Sequence, residues 1–215
     1  MNENNTKIKV VLFDIGDVLL PSRNPFLLWH HLIPHEKICE QTLLQIGFQE
    51  WGNEWDRGLV SDCIAKKKIL YPREAALIQA FADQWEKTLW KSANAETIAI
   101  AQQLKAAGHK LYLASNWPAD DFERACPYMP FLDLFDGMQI SGHVQLVKPD
   151  MAFFRRMMDR LAFKAEEAIF IDDKKANVDA ACALGMHGIV FTNANQLHSE
   201  LIGLNVLTAG EGIIS

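Results

Sequence analysis

Short apolar runs that stop abruptly at polar residues constrain this chain more than any other feature. The first is Lys9-Val10-Val11-Leu12-Phe13, which ends at Asp14 and continues Ile15-Gly16-Asp17-Val18-Leu19. An unbroken apolar run of this length, rich in Val, reads as a strand buried on both faces. Asp14 then stands where the strand leaves the sheet, and Gly16 allows a tight turn. A lone Asp in that place is equally well a turn residue. The pattern recurs, however. Lys110-Leu111-Tyr112-Leu113-Ala114 ends at Ser115-Asn116, and Ala168-Ile169-Phe170-Ile171 ends at Asp172-Asp173. Open parallel sheets bind ligands beyond the carboxyl ends of their strands, so polar residues repeated at strand ends mark a site.

Between the strands the periodicity is helical. Pro21, Ser22, Asn24 and Pro25 form a breaker-rich linker. From Phe26 to about Trp90 the chain reads as helix throughout, punctuated by Gly47, Gly52, Gly58 and Pro72. Residues 56–62 read as a turn, with Ser61 as N-cap of a helix beginning near Cys63. Five of the six tryptophans, Trp29, Trp51, Trp55, Trp85 and Trp90, fall in this segment, where a small helical module needs bulky residues for its core. Further helices are expected over Thr97–Ala107, closed by Gly108, over Asp120–Cys126, Met151–Leu161 and Asn177–Leu184, and from about Asn195. Met138–Ser141 and Val144–Val147 read as a small hairpin turned by Gly142, and Gly188–Phe191 as a fourth strand. Strands alternating with helices give an α/β fold with a doubly wound parallel sheet. The expected organisation is a Rossmann-like core from residues 1–21 and 92–215, with residues 22–91 inserted as a helical cap.

Bulk properties exclude some functions. A net charge of −6 argues against a general nucleic-acid binder, which needs a basic face. No apolar run approaches the length of a membrane span, and Met1–Thr6 is polar, so a cytoplasmic protein with no membrane partner is expected, as monomer or homodimer. Cys39, Cys63, Cys126 and Cys182 lie far apart, as reduced thiols would, and form no zinc motif.

At the mouth of one parallel sheet, Asp14, Ser115-Asn116 and Asp172-Asp173 would converge, together with Lys148 of Lys148-Pro149-Asp150. Clustered carboxylates raise one another's pKa values, and a divalent cation removes that penalty. Oxygen ligands without His or Cys point to Mg²⁺, which takes one or two carboxylates and keeps several waters. A metal, a lysine and neutral donors around a carboxylate make a phosphoryl-binding site, where the carboxylate can attack in line and form an aspartyl-phosphate.

With these residues in order, the chain resembles the haloacid dehalogenase-like hydrolase superfamily from Lys9 to about Leu201. Its motifs stand as Phe13–Leu19, Ala114-Ser115-Asn116, Val147-Lys148-Pro149-Asp150, and Phe170–Asp173 continuing to Asn177-Val178. The inserted helices resemble the cap of the subgroup containing phosphoglycolate and sugar-phosphate phosphatases. The resemblance implies that Asp14 is nucleophile and metal ligand, with the carbonyl of Gly16 and the Asp173 carboxylate as further ligands and Asp172 in or near a supporting position. It implies that Ser115 and the adjacent backbone hold phosphoryl oxygens, supported by Asn116, that Lys148 balances charge, and that Asn177 orients the loop. One position departs from the pattern. Family phosphatases usually carry an acid two residues after the nucleophile, where this chain has Gly16; Asp17 follows one residue late. Unless another acid serves, substrates with good leaving groups are favoured.

The expected activity is Mg²⁺-dependent hydrolysis of a small phosphorylated metabolite. A haloacid dehalogenase is the enzymatic alternative, disfavoured by the paired Asp172-Asp173; a catalytically weak binding protein is the other, suggested by Gly16. His30 and His31, being adjacent, cannot share a helix face as a metal pair would. Lys66-Lys67-Lys68 reads as a solvated face, Asp120 and Asp121 as a helix start suited to the dipole, and Arg23 and Arg57 equally as side chains that reach the mouth or as surface residues.

Overall fold

Alternation within the strands decides how the layers form. The computed structural model describes residues 7–21, 25–48, 51–87 and 93–208. Five strands, β1 (Val10–Phe13), β2 (Lys110–Ser115), β3 (Gly137–Ile140), β4 (Ala168–Asp172) and β5 (His187–Val190), form one sheet in the order β3-β2-β1-β4-β5. Every pairing is parallel, and Phe13 at the end of β1 stands level with Leu113 of β2 and Ile171 of β4. Because side chains alternate across a strand, Val11, Phe13, Leu113 and Ile171 face one layer, with Leu104 of helix α6 (Ala95–Ala106) and Leu197 of α11 (Ala194–Gly203). Val10, Leu12, Ala114 and Phe170 face the other, against Phe153, Phe154 and Met157 of α9 (Met151–Leu161) and Ala181 of α10 (Lys175–Cys182). Both faces are covered, as the unbroken apolar runs require. The connections from β1 run to β2 and β3 on one side, and the chain then returns to β4 and β5 on the other. The order therefore reverses between β1 and β4, which is where such sheets open a crevice.

Between β1 and α6 the described residues form α1 (Pro25–Leu32), α2 (Glu36–Gln45), α3 (Trp51–Arg57), α4 (Val60–Leu70) and α5 (Ala75–Lys87). These helices have a hydrophobic cluster of their own, built on Trp29, Trp51, Trp55, Ile64 and Phe81. Trp29 stacks on Phe81 with ring centroids 4.5 Å apart. Three of the five tryptophans of this segment are thus core; the side chains of Trp85 and Trp90 lie outside the described residues, as does Arg23.

Three local expectations are corrected. The hairpin at Gly142 does not form. β3 pairs parallel to β2, and the chain then turns into a short helix, α8 (Ser141–Val144), closed by Gln145 at φ 57°. Gly142 is a seat, not a turn: a Cβ there would stand 2.2 Å from the Ala119 nitrogen and 2.9 Å from the Gly58 carbonyl oxygen. Ser61 does not cap α4, which starts at Val60. The Val60 and Ser61 amides instead donate to the carboxylate of Asp120, at 2.8 and 3.1 Å, from α7 (Ala119–Ala125) of the sheet layer. Asp120 does open a helix, as expected, but its charge also serves the N-terminus of another. The lysine run is not uniformly solvated. Lys67 is buried, paired with Glu54 at 3.0 Å and lying over the Trp51 ring, because its apolar stem can cover the ring while its ammonium finds a carboxylate. His30, His31 and Arg57 are exposed.

Asp136 ties the start of β2 to the start of β3. Its carboxylate accepts from the Leu111 amide at 2.9 Å and meets Lys105 at 2.7 Å and Lys110 at 3.1 Å. Burial pushes its pKa up, but the bonds from Lys105, Leu111 and Lys110 outweigh it and hold the group at about 2. An acid depressed in the folded state adds stability that is complete above its ordinary pKa and lost as pH falls toward the folded value. Asp136→Asn is therefore expected to lower stability by about 1 kcal/mol at neutral pH, since the lysines are partly exposed. The gap between the two proteins should close as pH falls from about 4 to about 2. Urea unfolding at pH 7 and pH 2.5 reads both; a gap that stays constant would remove the ionised Asp136 as its cause.

Candidate active site

The ends of β1, β2 and β4 meet at the crevice. The Asp14 amide continues the ladder by donating to the Ile171 carbonyl at 2.9 Å, which fixes Asp14 one residue beyond β1. Its Oδ1 accepts from the Ile15 amide at 2.7 Å and stands 3.0 Å from the Lys148 ammonium, and its carboxylate is hydrogen-bonded to Ser115 at the end of β2. Lys148 reaches on to Asp172 Oδ2 at 2.6 Å, so one buried ammonium lies between two buried carboxylates. Asn116 sets where that ammonium goes. Its Nδ2 donates to the Lys148 carbonyl at 3.0 Å, and its Oδ1 accepts from the Lys148 amide at 2.8 Å. Asp172 is further held by the Lys174 amide at 2.8 Å and by Asn177 Nδ2 at 3.0 Å from each oxygen.

The charges do not balance. Asp14, Asp172 and Asp173 each bring a carboxylate oxygen within 4.8 Å of the others. Burial pushes the Asp14 pKa up and the Asp172 charge adds to this, although Lys148 and the Ser115 bond act the other way. Burial also raises Asp173, to about 6, with Asp14 and Asp172 contributing and Lys174 opposing. Lys148 is held charged: burial works against the ammonium, but Asp14 and Asp172 together raise its pKa. One lysine among three carboxylates leaves a deficit of positive charge, and an all-oxygen donor set suits a hard divalent cation. Asp172 spends both oxygens on Lys148, Asn177 and the Lys174 amide, which leaves Asp14 and Asp173 as the carboxylates available to such an ion.

Ser115, Asn116, Lys148, Asp172, Asp173 and Asn177 are thus gathered around Asp14. Asn116 faces the Lys148 main chain and acts on the site by positioning it. Gly16 lies in the turn after Asp14, with no atom within 4 Å of where a Cβ would stand. Asp17 is exposed, in the left-handed region at φ 56°, and its amide bonds the Leu20 carbonyl.

One acidic residue beyond the strand ends has no counterpart among the sequence expectations. Asp56, near the end of α3, has a desolvated carboxyl whose pKa is pushed up to about 6, first by burial; Lys174 and Lys148 pull it down, and Asp14 and Asp121 push it up. Its main chain is fastened to the sheet layer. Ser141 Oγ donates to the Asp56 carbonyl, and the Ala119 amide donates to the Gly58 carbonyl at 3.1 Å. In the sequence Asp56 only opens a turn-like stretch far from every motif, so no local signal marks it.

Residues 37–191, more than half of the chain, match a family model described as haloacid dehalogenase-like hydrolase. A sesquiterpene phosphatase of Aspergillus oryzae, astK, is 28% identical over 198 residues, covering 91% of this chain and 96% of its own. A drimenol cyclase of Aspergillus calidoustus, drtB, is 26% identical over 216 residues, covering 96% of this chain and 38% of its own. Among solved structures, a HAD-family enzyme of Bacteroides thetaiotaomicron in complex with magnesium and inorganic phosphate shares the fold, with a TM-score of 0.66 at 20% identity, over 86% of this chain and 95% of its own.

Proposed function

The chain belongs to the haloacid dehalogenase-like hydrolase family, and from that premise we propose that it is a Mg²⁺-dependent phosphatase of a small phosphorylated metabolite, working through an aspartyl-phosphate on Asp14. The observation that carries this reading is the uncompensated trio of Asp14, Asp172 and Asp173 around a single ammonium, Lys148. A carbon–halogen substrate gives no reason to gather extra carboxylates beside an anion, whereas a phosphoester with a divalent cation does. The name of the A. oryzae relative, a sesquiterpene phosphatase, supports phosphoester cleavage as well.

In this reading Asp14, Asp173 and the Gly16 carbonyl hold the ion, which when bound neutralises the carboxylates and the phosphoryl oxygens. Asp14 attacks phosphorus through the carboxylate oxygen left free by Lys148. The Ser115 hydroxyl and neighbouring amides bind the phosphoryl oxygens. Lys148, steered by Asn116, offsets their charge, and Asp172 and Asn177 keep Lys148 and the loop in place. We take residues 22–91 as the cap that screens substrates over a core of residues 1–21 and 92–215. A separate hydrophobic cluster among the inserted helices supports that division. Among the described residues no helix is long and apolar enough to cross a membrane.

Hydrolysis of p-nitrophenyl phosphate with and without Mg²⁺ tests the reading: metal-dependent phosphate release is expected. Halide release from a 2-haloacid without metal would replace it with the dehalogenase reading. Two variants separate the acidic neighbours. Asp173→Ala is expected to raise the Mg²⁺ concentration for half-maximal activity at least tenfold with little change in melting temperature. Asp172→Ala, which removes one of the two carboxylates on Lys148 and the partner of Asn177, is expected to lower the melting temperature and to shift the Mg²⁺ requirement less. Titrating Mg²⁺ against activity in both, beside thermal melts, reads the order; the reverse order would sink the ligand assignment.

A further inference from the structure

We propose that Ser141 is a positioning residue, whose hydroxyl ties the seating of the inserted helices to the loop that carries Ser115 and Asn116. The inference rests on the phosphatase reading above.

That loop is gripped residue by residue. Ser115 closes β2, and Asn116 holds the Lys148 main chain through both polar atoms of its side chain. Trp117 is held by its peptide groups. Its amide donates to Ser141 Oγ at 2.9 Å, and its carbonyl accepts from the Gly142 amide at 3.0 Å. The two residues that follow β3 therefore fix the far end of the loop.

Ser141 also faces the insert. Its hydroxyl donates to the carbonyl of Asp56, near the end of α3, and two residues on the Gly58 carbonyl accepts from the Ala119 amide at 3.1 Å. Ser141 has no exposed surface. Away from water, the Trp117 amide, the Ser141 hydroxyl and the Asp56 carbonyl form a chain of two bonds, each of which polarises and strengthens the other.

A hydroxyl carries one proton. Ser141 Oγ also lies 3.2 Å from the Trp117 carbonyl, so that proton has a second acceptor within the loop. With the insert seated, the proton goes to Asp56 and the lone pairs of Oγ serve the Trp117 amide. With the insert displaced, the proton turns to the Trp117 carbonyl, which Gly142 already serves, and the amide meets a weaker acceptor. The change is felt one peptide from Asn116 and, through its side chain, at Lys148. Asp120 gives the contrast: its carboxylate fastens the same junction through the Val60 and Ser61 amides, but it does not hold the Trp117 peptide.

The test uses the full chain with p-nitrophenyl phosphate and Mg²⁺, and inorganic phosphate as the competing product. Ser141→Ala is expected to lower kcat and to raise the inhibition constant of inorganic phosphate, each by about tenfold or more, within the range that a misplaced site costs. The Mg²⁺ concentration for half-maximal activity should hardly move, because the ligands are not on this loop. Asp120→Ala, which loosens the first turn of α4 but leaves both bonds of Ser141, is expected to lower the melting temperature and to leave kcat near the wild type. Equal losses of activity in the two variants would mean that Ser141 only fastens the insert, and would overturn the assignment. Ser141→Cys fills the space with a poor donor and acceptor, so it should behave like Ser141→Ala; wild-type activity there would make volume the cause and overturn it too. Amide exchange in the wild type decides the question independently of any variant's folding. Coupling between sites is reciprocal, so Mg²⁺ with inorganic phosphate should slow exchange over residues 57–61 as well as 115–119, and no slowing over 57–61 would overturn the assignment. A wild type with no Mg²⁺-dependent hydrolysis would instead overturn the phosphatase reading, and this assignment with it.

Discussion

Asp14→Asn is expected to bring phosphate release down by 10⁴-fold or more, on the order of the losses seen when an enzyme's nucleophile is removed, with the fold intact. The amide keeps the shape of the carboxylate and can still accept from Ile15 and Lys148, but it has no charge with which to attack phosphorus or to hold a cation. The sign of the stability change follows from the environment. Burial raises the Asp14 pKa, so the folded state disfavours its charged form at neutral pH, and a neutral isostere removes that penalty. The melting temperature without metal should therefore stay level or rise. Mg²⁺ should raise the melting temperature of the wild type and do so less for the variant, because one carboxylate ligand is gone. Near wild-type turnover in Asp14→Asn would show that another group attacks.

Lys148→Met should give the largest loss of stability. The lysine is buried between two buried carboxylates, and removing one partner of a buried ion pair typically costs about 3–5 kcal/mol, because a charge is left uncompensated. Here two are left. Turnover should fall as well, since no fixed cation then faces the phosphoryl oxygens. The double variant with Asp172→Asn removes one stranded charge and should recover part of the stability but none of the activity. Urea unfolding of the wild type, both single variants and the double variant closes the cycle. Strict additivity would mean that Lys148 and Asp172 do not depend on one another.

The sheet was legible because its strands announce themselves twice, by unbroken apolar runs and by the polar residues that stop them. Asp14, Ser115 and Asp172 stand at those stops, and parallel pairing in near-equal register carries them to one place. Lys148 was legible as a lone cation before a proline and a helix. What sequence did not disclose depends on contacts between distant segments. The capping of α4 by Asp120 joins residues 60 apart. Gly142 reads as a turn from its neighbours, and only the proximity of Gly58 and Ala119 shows it to be a point of close approach. Lys67 sits in a charged run, and nothing in that run reveals the Trp51 ring beneath it. Asp56 belongs to the same class: its neighbours in sequence are those of an ordinary helix end, and its raised pKa comes first from burial by segments distant in sequence.

Helix α4 begins on a carboxylate that its own segment does not contain. The inserted helices and the sheet layer are therefore not interchangeable parts. A chimera that grafts these helices onto another core must also carry an acid at the place of Asp120, or the first turn of α4 arrives with bare amides, and a hydroxyl at that of Ser141, or the Asp56 carbonyl loses its donor. A foreign insert placed on this core likewise inherits a pocket shaped by Gly142 to receive one particular backbone. Such a junction couples the two parts: a change at Asp120, Ser141 or Gly142 is felt first in the insert, and the inserted helices are inherited together with three residues of the layer beneath them.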